Sequence, residues 1–510
     1  MDFGTIPDII EYNARTYPNE EAVIFEDKRA TFGELKNRVS KRANVLLRSG
    51  VTPGDHVAIL SINSMEFVET FLAVWSIGAV SIPVNWRLSP EEFIYVINHC
   101  QATFLIFQEQ FTDTIEQIIP SLTFVQKYLS FEPSSVPEVF DMSAALENAS
   151  EEPPSVQVKS DDTLIILYTS GTTGRPKGVV ASHLNYIKSC EAFREAIGSV
   201  LLERPKTLFS GPFFHAGGML NMLLCFFFSS PQVIMKKFDA DQFLSWIETE
   251  KVERIQGVAS LYNMLLQSPN LKQFDLSSVR MVGSGAERMA DETRNRFEEV
   301  FPGAKIFEGY GMTETCGFTT ARAGEEMADK LTSVGKIIGE IELRIVDRKG
   351  NDVESGHTGE ILVRGPMIMK EYYNDPEKTA QAIQNGWLFT GDIGMLDEDG
   401  YLYVMERKND MIKTGGENVY PKEVENVLYQ HPKIVEAAVF GLPDKIWGQK
   451  ICAAVVLEKD SQSTKEELID FCKERLASFK KPKEVFFLDT LTRTFSGKIK
   501  RSELRKQFSI

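Results

Sequence analysis

The chain has few of the residues that announce a disulfide scaffold or a metal centre. Its six cysteines, at 100, 190, 225, 316, 452 and 472, are scattered over 510 residues, and none forms a Cys-x-x-Cys pair or a zinc-spaced cluster with histidine. This excludes a stapled secreted fold and a zinc module, and points to a reducing cytoplasm. Positive charge is in deficit: 56 Lys and Arg against 72 Asp and Glu leave a net charge of −16. A general binder of nucleic acid or anionic membrane is excluded on that ground. Long apolar runs are missing as well. "FLAVWSIGAVSIPV" and "GGMLNMLLCFFFSS" fall short of the roughly 20 residues that span a bilayer, so both read as buried elements. The opening "MDFGTIPDIIEYN" holds neither a basic nor an apolar leader region, so no signal peptide is expected. No short-period repeat is present.

What the chain does have is alternation. "DHVAILSI", "SMEFVETFLAVWSIG", "AVSIPV", "EEFIYVINHC" and "ATFLIF" read as strand, helix, strand, helix, strand. The grammar recurs from "PQVIMKKF" through "ERIQGVAS" and from "SVRMVGSG" to "AKIFEGYG". It predicts largely parallel sheets covered by helices. Residues 131–160, rich in Pro, Ser and Glu, read as a surface connection. From about 335 to 405, short alternating strands with glycine turns suggest a small β-rich subdomain. Beyond "RKNDMIK" a compact α+β pattern follows. The expected fold is α/β: a large N-terminal domain of βαβ-type sheets plus the β-rich subdomain over 1–406, a hinge at 407–413 and a small mobile α+β domain over 414–510.

"YTSGTTGRPKG" (168–178) concentrates hydroxyls, glycines and two cations between two strand-like segments. Gly171, Gly174 and Gly178 permit positive φ and close approach of backbone to a ligand. Thr169, Ser170, Thr172 and Thr173 offer hydroxyls beside backbone N–H groups, and Arg175 and Lys177 add charge, the makings of an anion nest at a hairpin tip. It is not a Walker A loop, which needs a second glycine five residues after the first and Ser or Thr after its lysine. Here Pro176 and Gly178 stand at those places, so an ordinary P-loop nucleotidase is excluded, while a bare Gly/Thr turn remains open.

Further motifs accompany it. "FEGYGMTET" (307–315) offers Tyr310, whose ring can stack on a base, Thr313 for a phosphate, and Glu314, a carboxylate suited to Mg²⁺ or an ordinary turn residue. "WLFTGDIG" puts Asp392 in a glycine turn, suited to ribose hydroxyls or a plain Asx turn. "ERKNDMIKTGGENVYP" (406–421) is polar and glycine-rich, and "TRTFSGKIKR" carries Lys498 in a Gly/Ser loop.

In this order the motifs resemble the adenylate-forming superfamily of acyl-CoA synthetases, luciferases and adenylation domains, from about residue 5 to 505. "GGENVYP" and the absence of a carrier domain look most like a fatty-acyl carboxylate–CoA ligase. The resemblance implies two half-reactions. A carboxylate attacks the α-phosphorus of ATP, giving acyl-AMP and pyrophosphate. The thiol of coenzyme A then displaces AMP.

It also implies roles. The loop Thr169, Ser170, Gly171, Thr172 and Thr173 with Lys177 would hold the β- and γ-phosphates. Ala286 and Glu308, Gly309, Tyr310 and Gly311 would surround adenine. Thr313 would touch the α-phosphate, Glu314 the Mg²⁺, and Asp392 the ribose, with Arg407 and Lys413 assisting. Lys498 would bridge carboxylate and α-phosphate as the main catalytic cation. The C-terminal part would then rotate at Asn409, bringing Gly415, Gly416 and Asn418 to coenzyme A. His215 would stand at the mouth of an acyl pocket lined by Met219, Gly257, Val258, Ala259, Gly283, Ser284, Gly285, Met312, Cys316 and Gly317.

Two departures from the family pattern stand out. Asn409 occupies a hinge position that is commonly Asp or Lys, and Thr492 and Phe495 replace prolines. The substrates implied are a medium- or long-chain fatty acid, ATP with Mg²⁺, and coenzyme A, with a monomer or homodimer and no nucleic-acid partner or membrane anchor. An aryl or alicyclic acid, a carrier-loading acyl-AMP ligase and a regulatory pseudoenzyme are the alternatives.

Overall fold

The computed structural model describes residues 3–169, 176–198, 202–285, 289, 291–324, 330, 332–407, 410, 412–414, 417–444, 448–459, 461–476, 480–493 and 499–509. They fall into two compact units. The first comprises 1–342 and 364–386, the second 343–363 and 387–510.

Two sheets organise the first unit. One runs, in spatial order, Glu371–Tyr372, Lys177–Ser182, Thr163–Thr169, Val80–Pro83, His56–Leu60, Phe104–Phe107, Lys127–Ser130 and Val139–Asp141. Its pairings are parallel except at Thr163–Thr169 with Lys177–Ser182 and at Lys177–Ser182 with Glu371–Tyr372. The other runs Lys336–Ile337, Gly317–Ala323, Lys305–Met312, Met281–Ser284, Arg254–Gly257, Thr207–Phe209, Gln232–Ile234, Glu21–Phe25 and Lys28–Thr31. Its centre is parallel and its edges are antiparallel. The expected βαβ grammar is therefore present, with strands such as Phe104–Phe107 buried along their whole length, as parallel strands covered on both faces must be.

Both apolar runs are interior elements. Helix Met65–Ser76 is almost wholly buried, with Trp75 in its last turn hydrogen-bonded through its indole N–H to Ser81 at 2.9 Å. Helix Ala216–Phe227 is buried from Gly218 onward. Residues 131–160 are more than a connection: Val139–Asp141 adds a parallel edge strand and Met142–Glu147 forms a short helix capped by Asp141. Its Pro/Ser-rich composition concealed a segment whose order comes from pairing with Lys127–Ser130 rather than from its own periodicity.

The second unit holds two sheets. In one, Glu342–Val346, Gly359–Arg364, Trp387–Leu396 and Leu402–Arg407 are neighbours. In the other, Glu417–Val419, Ile412–Thr414, Gly448–Leu457 and Ile434–Asp444 form a path with Glu484–Phe487 beside Gly448–Leu457. Helices Pro421–Leu428 and Lys465–Lys473 contribute Val424, Leu428, Leu468 and Cys472 to the core on that sheet. Among the described residues, no helix is long and apolar enough to cross a membrane.

Candidate active site

The phosphate-loop candidate lies at the end of the hairpin Thr163–Thr169/Lys177–Ser182, with Thr169 opposite Lys177. Ser170, Gly171, Thr172 and Thr173 lie outside the described residues. The base of the hairpin is clamped by helix Pro90–His99. Tyr95 donates its hydroxyl hydrogen to the Pro176 carbonyl at 3.0 Å, and His99 Nδ1 meets the Tyr168 hydroxyl at 2.7 Å. Burial lowers the His99 pKa and raises that of Tyr168, so both stay neutral near pH 7.

A second hairpin carries the adenine and metal candidates. Strand Lys305–Met312 runs through Glu308, Gly309, Tyr310 and Gly311, a 3₁₀ turn holds Thr313–Thr315, and Gly317–Ala323 returns. Gly311 is required by crowding: a Cβ there would lie 1.9 Å from the Gly317 carbonyl oxygen. Thr315 pins the turn, accepting from the Met312 N–H at 3.0 Å and donating to the Gly317 carbonyl at 2.7 Å. The Glu308 carboxylate is buried and already occupied. Arg322 Nη2 donates to its Oε2 at 2.5 Å and the Met289 N–H to its Oε1 at 3.1 Å. Ala286 lies outside the described residues.

The two hairpins meet at a residue the sequence reading passed over. Tyr372, in the short strand Glu371–Tyr372, pairs with Val179 beyond the phosphate loop. Its ring lies 4.6 Å from Lys177 Nζ, and its hydroxyl donates to Glu314 Oε1 at 2.7 Å. The Met369 N–H donates to the Glu314 carbonyl at 2.8 Å. Segment 366–368 is itself tied by Asn185, which donates to the carbonyls of Pro366 and Ile368 at 2.7 and 3.0 Å. Glu314 is 8% exposed. A single carboxylate suits Mg²⁺, which takes one or two protein oxygens and completes its shell with phosphates and water. No group of three metal-binding side chains occurs among the described residues.

The acyl candidates gather at the C-terminal ends of the central strands of the nine-stranded sheet, where α/β sheets bind ligands. Gly257 ends Arg254–Gly257, Val258 caps helix Ala259–Leu266, and Gly283 and Ser284 end Met281–Ser284, followed by Gly285. The Ala259 side chain lies outside the described residues. His215 caps helix Ala216–Phe227, its ring 4.5 Å from Phe214, and Met219 lies one turn on, fully buried. Phe213 is core, packed on Phe67 and Phe209. Cys316 is buried with φ +52, and Met312 and Gly317 flank the turn it closes. Phe318, also unremarked in the sequence reading, stands over two glycines. A Cβ on Gly285 or Gly309 would come within 3.0 or 2.6 Å of its ring.

In the second unit, Asp392 is buried, and its position pairs with Arg407 on the neighbouring strand. The expected glycine turn is instead the interior of strand Trp387–Leu396. Gly391 has φ +73 and the register slips between Ile393 and Gly394, so the glycine marks an irregularity in a strand rather than a loop. Lys413 and Asn418 pair across the hairpin Ile412–Thr414/Glu417–Val419. Their side chains, that of Arg407, and Asn409, Gly415, Gly416 and Lys498 lie outside the described residues.

Comparison with known proteins identifies the family. The AMP-binding enzyme family matches residues 10–373, and the AMP-binding enzyme C-terminal domain matches 423–498. The chain is 35% identical to the feruloyl-CoA synthase of Amycolatopsis sp over 496 residues, 97% of each chain. It is 32% identical to the long-chain-fatty-acid–CoA ligase FadD13 of Mycobacterium tuberculosis, covering 95% of this chain and 94% of that one. Among solved structures, o-succinylbenzoate CoA synthetase (MenE) from Bacillus subtilis, in complex with its acyl-adenylate intermediate, superposes with TM-score 0.86 at 33% identity over 98% of both chains. The chain belongs to the AMP-binding enzyme family of the adenylate-forming superfamily and is an ATP-dependent, AMP-forming acid–thiol ligase.

Proposed function

We propose that this ligase condenses a carboxylic acid with ATP to acyl-AMP, then transfers the acyl group to coenzyme A in the cytoplasm. The observation that carries the reading is Tyr372, which brings the phosphate-loop cation Lys177 and the carboxylate Glu314 onto one side chain. A triphosphate needs both: positive charge on its β- and γ-oxygens and a fixed carboxylate for the Mg²⁺ that neutralises them.

In this reading the Thr169–Thr173 loop and Lys177 hold the departing pyrophosphate, and Thr313 meets the α-phosphate. Tyr310, Gly309, Gly311 and Ala286 enclose adenine. Glu308, its carboxylate engaged by Arg322 and Met289, contributes through its main chain. Asp392 and Arg407 take the ribose, with Lys413 assisting. Lys498 steadies the attacking carboxylate against the α-phosphate, an electrostatic role that requires no proton transfer. The domains 1–406 and 414–510, joined by 407–413 with Asn409 as pivot, rearrange so that Gly415, Gly416 and Asn418 face coenzyme A. Glu314 would hold Mg²⁺, which when bound would supply charge neutralisation at the phosphates.

For the acid itself, relatives include both aryl and fatty-acyl ligases, and one observation favours the aryl alternative over the fatty-acyl expectation. Phe318, stacked on Phe193 and edge-on to Phe307, lies close against Gly285. The same rings offer faces to a flat tail. The test is a panel of aryl, alicyclic and fatty acids assayed for thioester formation dependent on both ATP and coenzyme A. Aryl acids are expected to lead. Turnover of long-chain acids alone overturns the aryl preference, and pyrophosphate exchange without thioester overturns coenzyme A as acceptor.

A further inference from the structure

Strand Arg254–Gly257 lies between Thr207–Phe209 and Met281–Ser284 in the parallel centre of its sheet. Such a strand is covered on both faces and is ordinarily apolar throughout. Ile255 obeys, packing with Phe243, Tyr262 and Phe297 in one cluster. Arg254 and Gln256, whose side chains alternate onto the opposite face, are 2% and 3% exposed. The Arg254 guanidinium donates from Nη2 to Asn221 Oδ1 at 3.1 Å and lies 5.1 Å from the centre of the Phe193 ring. Its Nε has no hydrogen-bond partner, and neither has Gln256 Oε1.

Among the described residues no carboxylate lies within ion-pair distance of Arg254. The ionisable groups whose electrostatics reach it are Cys190 on helix His183–Ala196, Cys225 on helix Ala216–Phe227 and, from the Ile255 side, Tyr262 on helix Ala259–Leu266. Burial raises the pKa of all three, so all are neutral. A guanidinium does not lose its proton under such conditions, and a buried charge without a counter-ion is strongly unfavourable. The described residues give this cation a hydrogen bond and a ring, but no counter-ion.

Its place says where that partner comes from. Arg254 precedes Val258 by four residues, about 13 Å at roughly 3.3 Å per residue, so it sits deep beneath the acyl candidates. Gln256 Oε1 occupies the space above Gly283, 1.8 Å from where a Cβ would stand. Phe318 reaches from Gly285 to Phe193, the ring that carries Arg254. The geometry points to Arg254 as a specificity residue at the inner end of the acyl site, taking a second carboxylate or other anionic oxygen at the far end of the substrate acid, with Asn221 and Gln256 beside it. The inference rests on the ligase reading above. A distal carboxylate would receive a charge-assisted, fork-shaped pair of hydrogen bonds, whereas a hydrocarbon end would leave the cation buried without its counter-charge.

The test uses the full-length enzyme and pyrophosphate exchange with matched acids: para-carboxyphenylpropanoate against para-methylphenylpropanoate, and suberate against octanoate. The diacid of each pair is expected to be favoured in kcat/KM by about 100-fold, since sites built for a polar group discriminate strongly against analogues lacking it. Arg254→Met is expected to erase or invert that ratio while retaining activity on the methyl-ended acid, and Arg254→Lys to keep part of it. Should Arg254→Met fail to fold, the wild-type ratio and Gln256→Leu, expected to narrow it, decide instead. Methyl-ended acids turned over as well as diacids by the wild type, or an unchanged ratio in Arg254→Met, overturns the inference alone. No exchange with any acid overturns the ligase reading and this inference with it.

Discussion

At the phosphate edge of the first unit, the candidate contacts come from two hairpin ends, and most are local. Thr169 faces Lys177, and Gly311, Thr313 and Glu314 follow one another around a single turn. At the acyl end the contacts come from separate elements: Phe193 from one helix, Asn221 from another, Arg254 and Gln256 from a strand, and Phe318 from the returning arm of a hairpin. In the proposed reading the first region holds the nucleoside triphosphate, and can be built from short runs of backbone. The second must fit one acid among many, and is built from single side chains that meet only when the sheet and helices pack.

That difference governs what could be read beforehand. The glycines and hydroxyls of 169–178 and 309–317 break the strand periodicity, so they stood out without any fold. Tyr372 carries no such signal, because its role comes from a two-residue strand pairing with Val179 and from its hydroxyl reaching Glu314. Arg254 did leave a trace. "ERIQG" alternates polar and apolar within a segment otherwise read as a covered parallel strand, and that conflict between local pattern and fold is the signature of a polar group kept for a purpose. Asp392 was misplaced in a turn because a glycine next to an aspartate usually marks one. Only the ladder to Leu402–Arg407 reveals a strand.

The sharpest test is at the proposed catalytic cation, Lys498. Lys498→Ala is expected to reduce acyl-AMP formation about 1,000-fold, the scale of removing one preorganised charge stabiliser. Thioester formation from supplied acyl-AMP should change by less than about 3-fold, since the cation's task ends when pyrophosphate leaves. Single-turnover measurement of each half-reaction checks this. An equal loss in both halves would return Lys498 to a structural role.

Next is the link between the two hairpins. Tyr372→Phe keeps the ring against Lys177 but removes the donor to Glu314. Loss of a partner that orients a metal-binding carboxylate typically costs about 10- to 100-fold in metal affinity or activity. The expected outcome is that much rise in the Mg²⁺ concentration for half-maximal pyrophosphate exchange, with the diacid-to-methyl preference untouched. A change in acid preference instead would mean that the two regions are not separable.

The smallest effect concerns the helix that carries Phe193. His183 opens that helix, fully buried, and its Nδ1 accepts the Ile6 N–H at 3.2 Å, which requires an unprotonated nitrogen. Burial lowers its pKa from 6.5 to about 4. Between those values the unfolded chain binds a proton that the folded chain refuses, so stability is full above pH 6.5 and declines as pH falls towards 4. The slope approaches about 1.4 kcal/mol per pH unit from this group. Denaturant unfolding across that window should show the decline, and His183→Gln, which cannot titrate, should flatten it. Because the helix bears the acyl-side ring while the phosphate hairpin is clamped from another helix, Pro90–His99, by Tyr95, mild acid is expected to weaken binding of the acid before that of ATP. Loss of ATP binding first would mean that the tie from Asn185, on this same helix, to segment 366–368 beside Glu314 matters more to the phosphate edge than the Tyr95 clamp.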